Sequence, residues 1–294
     1  MRSTLAALRC TGLVLALLFA PLVAAPAARA SDGALEINQT CAIQTGCFPG
    51  DTAGFPVTIT PAANAHSFRL TSDLVNSDTA TDVISVALSG ADIDLGGFEI
   101  ASRACVGATS KCTPAAGPGS GVQRTSALVG FSLRNGTVTG MSRHGVSAGI
   151  DSRIEDVRAR WNAGFGITAL SGSHILRCQA IENGAAGIAG DTASVVSDNA
   201  SIGNGSYGIT VSAGSVVSNN ALRSNKGAGI SATIGTLVSG NSVAQNSGVG
   251  LELFATTLYR GNAIVSNSGG PVTGGFNGGG NFCSGAGTGS ATCP

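Results

Sequence analysis

Most side chains that could bind a ligand or act on one lie in one short part of the chain. Nine charged residues and two histidines fall between residues 143 and 182, whereas only six charged residues follow from 183 to the end. The candidate binding residues are Trp161, Arg158, Arg160, Asp156, Arg177 and His144. An indole stacks on the face of a sugar ring, and guanidinium groups contact carboxylates in bidentate fashion. The set fits an extended acidic sugar chain, and a solvated face of salt bridges is the alternative interpretation.

A hydrolytic site would need two carboxylates that face one substrate. Glu155 and Asp156 are sequence neighbours, and successive residues of a strand point to opposite faces. We therefore expect this pair not to act together. No cluster of three or four acidic residues in the sequence indicates a metal site, so we predict none.

Six of the eight cysteines form close pairs in sequence. These pairs are Cys41 with Cys47, Cys105 with Cys112, and Cys283 with Cys293. An exported chain can keep disulfides, so the pairs are interpreted as three local bridges. Zinc is the competing interpretation, but the pairs are far apart and lack nearby histidines. Of the other two, Cys10 lies in the first thirty residues, and Cys178 is predicted to be a buried, inert thiol.

The first thirty residues resemble a secretory signal peptide. Arginines in MRSTLAALRC precede the apolar TGLVLALLFAPLVAA, and A-A-R-A stands before Ser31. The apolar run contains Pro21 and is short for a membrane span, so no span is predicted. Without this peptide, thirteen basic residues face sixteen acidic ones, a net charge of −3. Nucleic acid is therefore not an expected partner.

The chain repeats itself every 21 residues with no change of length. One column holds Val146, Ile167, Ile188, Ile209, Ile230, Leu251 and Val272. A second holds Asn162, Asn183, Asn204, Asn225, Asn246 and Asn267. A third holds Asn199, Asn220, Asn241 and Asn262, and a fourth holds Leu133, Ile154, Ile175, Val196, Val217, Val238 and Tyr259. A fixed period indicates that each segment stacks on its neighbour, as in a solenoid.

The spacing favours short strands over helices. The apolar residues of a coil show no helical period, and Gly, Ser and Asn separate them. Stacked strands place the buried asparagines about 4.8 Å apart, where each amide bonds to its copies and to turn backbone. Trp161 lies in a polar column with Gly140, Glu182, Gly203, Ser224, Gln245 and Ser266, so we expect an exposed indole. The coils lack the L-x-x-L-x-L core of leucine-rich repeats, and a period of 21 fits neither the multiples of six of hexapeptide helices nor the nine-residue units of calcium-binding repeats.

The pattern v-x-x-N-x-x-x-x-N-x-x-x-G-I resembles the right-handed parallel β-helix repeat of the pectate-lyase-like superfamily, in its uncharacterised secreted branch. The resemblance covers about 131–272, and the right hand comes from it alone. It implies an all-β, single-domain β-helix. The resemblance also implies a second function, that of a polysaccharide lyase, in which a basic residue removes a proton and aspartates hold calcium. The relatives' N-T-D, D-D, G-H-G and R-I-K motifs are absent, and R-H-G-V at 143–146 is a weak match.

The predicted organisation is a signal peptide at 1–30, an N-terminal cap at 31–54, the β-helix at 55–272 and a C-terminal cap at 273–294. A disulfide-bridged loop is expected at 101–121, because ADIDLGGFEI at 91–100 resembles the later coil segment FSLRNGTVTG at 131–140. Capped ends protect unpaired strand edges. We expect a secreted scaffold, extracellular, periplasmic or on the cell surface, that binds polysaccharide without a cofactor. A lyase, for which calcium would be relevant, and a purely structural surface protein are the alternatives. The sequence leaves the oligomeric state open.

Overall fold

A computed structural model describes residues 33–125, 128–284 and 293–294 of the protein. The predicted signal peptide at 1–30 lies outside the described residues. The helical elements are α1 (Gln39–Gln44) and a 3-10 turn at Pro61–Ala63. In chain order the strands are β1 (Leu35–Ile37), β2 (Val57–Ile59), β3 (Ser67–Leu70), β4 (Leu74–Asn76), β5 (Ile84–Val86), β6 (Asp92–Asp94), β7 (Glu99–Ser102), β8 (Val122–Arg124), β9 (Ser132–Thr139), β10 (Val146–Ser147), β11 (Arg153–Arg160), β12 (Ile167–Ala169), β13 (His174–Leu176), β14 (Gln179–Ile181), β15 (Ile188–Gly190), β16 (Val195–Ser197), β17 (Ala200–Ile202), β18 (Ile209–Val211), β19 (Val216–Ser218), β20 (Ala221–Arg223), β21 (Ile230–Ala232), β22 (Leu237–Ser239), β23 (Ser242–Ala244), β24 (Leu251–Leu253), β25 (Leu258–Arg260), β26 (Ala263–Val265), β27 (Val272–Thr273), β28 (Phe276–Asn277) and β29 (Phe282–Ser284).

The strands form a single parallel solenoid of about ten coils. Sheet B contains one strand from each coil, ten in all, and runs from β2 to β27. Sheet A contains 19 strands, and most coils contribute two strands to it. The long strands β9 and β11 run through both parts of sheet A without a break. The all-β, single-domain prediction is confirmed.

The 21-residue columns become rows of side chains in register. Val146 pairs with Ile167, and the same register continues through Ile188 and Ile209 in sheet B. In sheet A, Ile154 pairs with Leu133 on one side and with Ile175 on the other. These residues are fully buried. The apolar rows therefore form the continuous core that the repeat predicts.

Two asparagine ladders run through the interior. In the first, both the backbone N–H and Nδ2 of Asn162 donate to Oδ1 of Asn183, at 3.1 and 2.9 Å. The same pair of hydrogen bonds recurs at every step down to Asn267. The second ladder begins at Asn199 and is extended beyond Asn262 by Asn281. Buried amides are thus satisfied by their own copies.

Cys178 lies in the column of the second ladder, one coil before Asn199. Its backbone N–H donates to Oδ1 of Asn199 at 2.7 Å, and its thiol is free and buried. Burial raises the pKa of this thiol to about 12. The thiol is therefore protonated at neutral pH, which agrees with the inert role predicted for it.

The regular 21-residue coils turn at up to three left-handed residues. One corner contains Gly130, Asp151, Gly172, Ala193, Gly214 and Gly235, all with positive φ. The second contains Asn135, Asp156, Arg177, Asp198, Asn219, Gly240 and Gly261. The third contains Gly140, Trp161, Glu182, Gly203, Ser224, Gln245 and Ser266. Gly, Asn and Asp tolerate this conformation best, which explains why turn residues fill these columns.

The three predicted disulfides are present: Cys41–Cys47, Cys105–Cys112 and Cys283–Cys293. At the N-terminal end, α1 is capped by Asn38, and β1 pairs with β3, so the segment 31–54 also supplies a strand to sheet A. At the other end, the Tyr259 hydroxyl donates to the carbonyl oxygen of Pro294. None of the described helices is long and apolar enough to cross a membrane.

One cation lies inside the coil stack. Arg124, at the end of β8, is 3% exposed, and its Nη1 donates to the Ile150 carbonyl at 3.3 Å and to the Ser152 hydroxyl at 3.5 Å. Its Nε and Nη2 are buried and have no hydrogen-bond partner among the described residues. Burial lowers the pKa of Arg124, because a buried cation loses its hydration. No carboxylate of the described chain lies within ion-pair distance of it.

Candidate functional site

An open depression of about 360 Å³ lies on the outer surface of sheet A, beside the second corner. Its lining residues come from four successive coils: Gly97, Asn135, Gly136, Thr137, Asp156, Val157, Arg158, Arg177 and Gln179. Thr137, Arg158 and Gln179 are register partners on β9, β11 and β14. Side chains on a straight row across a parallel sheet suit an extended ligand.

Arg158 is the cation in this depression that has no acidic partner. Its side chain is exposed, and Nε donates to Oε1 of Gln179 at 3.0 Å. Among the described residues, no carboxylate lies within 4.0 Å of its guanidinium, and its two Nη groups donate to none of them. Both Nη groups are therefore available to a carboxylate of a bound molecule.

Arg177 borders the same depression but is held by two carboxylates. Its Nε and Nη2 donate to Asp156 Oδ1 and Oδ2 at 2.9 and 2.8 Å, and Nη2 also lies 2.8 Å from Glu155 Oε2. The expectation that Glu155 and Asp156 point to opposite faces is wrong. Asp156 has φ 56°, so the strand alternation is broken at the corner and both carboxylates reach one guanidinium.

These ion pairs fix the charge state of the acids. The pKa of Glu155 is lowered, first by the hydrogen bond from Arg153 and then by Arg177. The pKa of Asp156 is lowered by its hydrogen bonds from Arg177, and the same contacts raise the pKa of Arg177. Both acids therefore stay ionised at neutral pH and stay bound to arginine. The two acids are therefore poorly suited to accept a proton from a bound molecule.

Arg160 is also engaged by its own neighbours. Its Nη2 lies 3.1 Å from Glu99 Oε1, and its Nε donates to Thr139 Oγ1 at 3.0 Å. The guanidinium carbon lies 4.4 Å from the centroid of the Trp161 ring, which is a cation-π contact. Arg160 therefore orders the indole rather than facing solvent freely.

Trp161 is buried, so the prediction of an exposed indole is wrong. It is 7% exposed although it occupies a corner position with φ 57°. The polar column fits a left-handed corner and says nothing about what covers that corner. On either side of Trp161, the loop after β7 lies against Gly140 through Cys105 and against Glu182 through Lys111.

His144 does not line the depression. It precedes β10, and its Nδ1 accepts the backbone N–H of Phe165 at 3.1 Å, with the two ring centroids 5.2 Å apart. Burial, assisted by the charge of Arg143, lowers the pKa of His144 to about 4. It is therefore neutral at pH 7 and stabilises a turn.

The structure adds residues that sequence reasoning missed. Asn135 shares the 21-residue column of Asp156 and Arg177, and Thr137 and Gln179 share that of Arg158, so the period contained the signal for them. Gly97 lies outside the 21-residue columns, and its signal was the resemblance of 91–100 to 131–140. No group of three or more His, Cys, Asp or Glu side chains in the described ranges is arranged to hold a metal ion.

Comparison with known proteins places the fold. A sequence model described as a right handed beta helix region matches residues 121–270, half of the chain. The chain belongs to the right-handed β-helix family. No curated protein sequence matches this β-helix.

Among solved structures, the Dettilon tailspike protein (gp208) is 14% identical, with a TM-score of 0.53, over 74% of this chain and 55% of the tailspike. A mutant of the periplasmic alginate epimerase AlgG is 13% identical, over 74% and 68% of the two chains, with a TM-score of 0.43. The A-module of the Azotobacter vinelandii mannuronan C-5 epimerase AlgE6 is 15% identical, over 85% of each chain, with a TM-score of 0.40. The chain thus spans about half the length of the tailspike, and the likeness to the tailspike shows the fold alone.

Proposed function

We propose that this protein is a secreted β-helix that binds an acidic polysaccharide across the depression around Arg158. The observation that carries the proposal is an exposed guanidinium with free Nη groups and no acidic partner among the described residues, set in a row of polar side chains. A uronate carboxylate matches the fork of such a guanidinium. Thr137 and Gln179 supply hydroxyl and amide groups in the same row for sugar hydroxyls.

Secretion is part of the proposal. Three disulfides form in the described chain, and disulfides persist in oxidising compartments outside the cytosol. The sequence before residue 31 has the charge and apolar pattern of a signal peptide. Expression of the full chain in a bacterial host with N-terminal sequencing of the exported product tests this part, and a product that keeps residues 1–30 would contradict it.

The binding test compares two matched arginines. Arg158 donates to Gln179 on the next coil, and Arg223 donates to Gln245 in the same way, at 2.7 Å, on the same face of sheet A. Arg223 is not among the residues that line the depression. Arg158→Gln removes the proposed contact, whereas Arg223→Gln removes an equal charge elsewhere.

Retardation in gels that contain alginate, polygalacturonate or neutral dextran measures the affinity of each variant. We expect retention by the two acidic polymers, a loss of about tenfold or more in Arg158→Gln, the size of one charge-assisted contact, and little change in Arg223→Gln. Equal losses of affinity in the two variants would show that net charge, and not a contact of Arg158, causes the retention, and would contradict the proposed site. Release of unsaturated sugar by the wild-type protein, followed at the same time, would show an enzyme instead.

A further inference from the structure

The loop between β7 and β8 crosses the corner that contains Trp161. Gly140 and Glu182 are the corner residues one coil before and one coil after Trp161. A Cβ atom on Gly140 would lie 2.2 Å from Sγ of Cys105, so the loop begins in direct contact with that corner. Farther along the loop, Nζ of Lys111 lies 3.7 Å from Oε2 of Glu182. The loop therefore spans Trp161 from the coil above to the coil below.

The loop is well attached at its ends and weakly attached at its tip. Near its end, Gly117 N–H donates to the Ser142 carbonyl at 3.1 Å, and Gly119 N–H donates to the Thr79 carbonyl at 3.0 Å. Within residues 106–116 of the described chain, the Lys111–Glu182 ion pair is the only polar contact to a coil. Both side chains of this pair are exposed, 54% and 40%, so the contact is weak and screened by salt.

The space beneath the loop is incompletely filled. A cavity of about 90 Å³ lies between the loop and the coils, lined on the loop side by Pro114 and Ala115 and on the coil side by Val83 and Met141. The Cys105–Cys112 disulfide ties the tip to Cys105, which is fully buried against Gly140. Residues 106–116 can therefore move only about this anchor and about the attachment at Gly117.

We propose that this loop is a lid, and that its opening exposes Trp161 as a stacking surface for a sugar ring of the bound polysaccharide. The proposal rests on the function proposed above. Arg160 already fixes the indole by its cation-π contact, so the platform is ordered before a ligand arrives. Arg158 and Trp161 are three residues apart at the end of β11, about 10 Å along the strand. One extended chain can reach both.

A ligand that stacks on Trp161 binds the open lid better than the closed lid and shifts the population toward the open form. Weakening the tip contact must therefore do two things: it must uncover the indole without ligand, and it must raise the affinity for the polysaccharide.

The chain contains one tryptophan, so intrinsic fluorescence reports on Trp161 alone. Lys111→Glu and Glu182→Lys each place like charges opposite one another, and the double exchange restores an ion pair. We expect the acrylamide quenching constant to rise about two- to fivefold in each single variant, as for the loss of an exposed ion pair, and to return in the double variant. Lys226→Glu, the same change at an exposed lysine elsewhere, is the control. Salt should raise quenching in the wild-type protein and not in the single variants.

Gel retardation by alginate completes the test. We expect the two single variants to bind more tightly than the wild-type protein, and Trp161→Leu placed on either one to abolish the gain. Unchanged quenching would refute the lid whether or not alginate binds. Raised quenching with unchanged affinity would refute the sugar-stacking role and leave the Arg158 site intact. Absence of binding in every variant would refute the proposed function, while the quenching data would still decide the lid.

Discussion

Asn220→Ala is expected to lower the free energy of unfolding strongly. Oδ1 of Asn220 accepts the backbone N–H and Nδ2 of Asn199 at 2.9 and 3.0 Å, and its Nδ2 donates to the Val196 carbonyl at 2.9 Å and to Asn241 Oδ1 at 3.0 Å. Alanine leaves the Asn199 N–H without its acceptor and the Val196 carbonyl without its side-chain donor. Two buried groups left unsatisfied, at about 1 to 3 kcal/mol each, give a loss of about 2 to 6 kcal/mol.

The preceding residue provides the control. Asn219 is exposed and left-handed, with φ 58°, so Asn219→Gly keeps the conformation and should change stability by less than about 0.5 kcal/mol. Urea unfolding followed by far-UV circular dichroism measures both variants side by side. If Asn220→Ala shifts the midpoint no more than Asn219→Gly does, the ladder does not stabilise the coils and the reasoning fails.

Three further predictions concern other interior groups. Arg124→Met should raise the free energy of unfolding by about 1 to 4 kcal/mol, because it removes an unpaired buried charge, and Ile150 and Ser152 keep other hydrogen bonds; a lower urea midpoint than that of the wild-type protein would contradict this. Cys178→Asn should add a rung above Asn199 and stabilise by about 1 kcal/mol in the same assay. His144 has its pKa lowered from 6.5 to about 4, so its proton favours the unfolded chain: stability should be complete above pH 6.5 and fall as the pH drops toward 4. His144→Asn should flatten that part of a thermal-unfolding pH profile.

The core could be predicted because the period removes ambiguity. A column such as Ile167, Ile188 and Ile209 places the same side chain in the same surroundings at each coil. Assigning such a column to the outer surface would expose an isoleucine in every coil, so the burial of the column is clear from the sequence. The asparagine ladders follow from the same argument. Asn183 donates its backbone N–H to Asn204 Oδ1, and Asn204 donates its own to Asn225 Oδ1, so each step repeats after 21 residues. The disulfides followed from close spacing in sequence.

The candidate site could be predicted only in part, because two of its determinants are not local. The left-handed conformation of Asp156 turns its carboxylate toward Arg177, and no strand pattern shows that. Trp161 is buried at a corner whose neighbours Gly140 and Glu182 are contacted by a loop that leaves the coils more than forty residues earlier in the chain. Arg158 keeps its predicted place on the surface because nothing in the described chain crosses it.

The amide rows give the stack a direction. From Asn162 to Asn246, each asparagine of the first ladder donates its backbone N–H and Nδ2 to the Oδ1 one coil toward the C-terminal end, and Nδ2 also donates to a backbone carbonyl of the preceding coil. Removing coils from the C-terminal end therefore leaves a buried backbone N–H without its acceptor, which interiors tolerate poorly, whereas Nδ2 keeps its bond to the preceding coil. Removing coils from the beginning leaves an Oδ1 without its donors, and a spare oxygen is tolerated better. The two ends of this polymer-like scaffold are therefore unequal starting points for adding or removing coils.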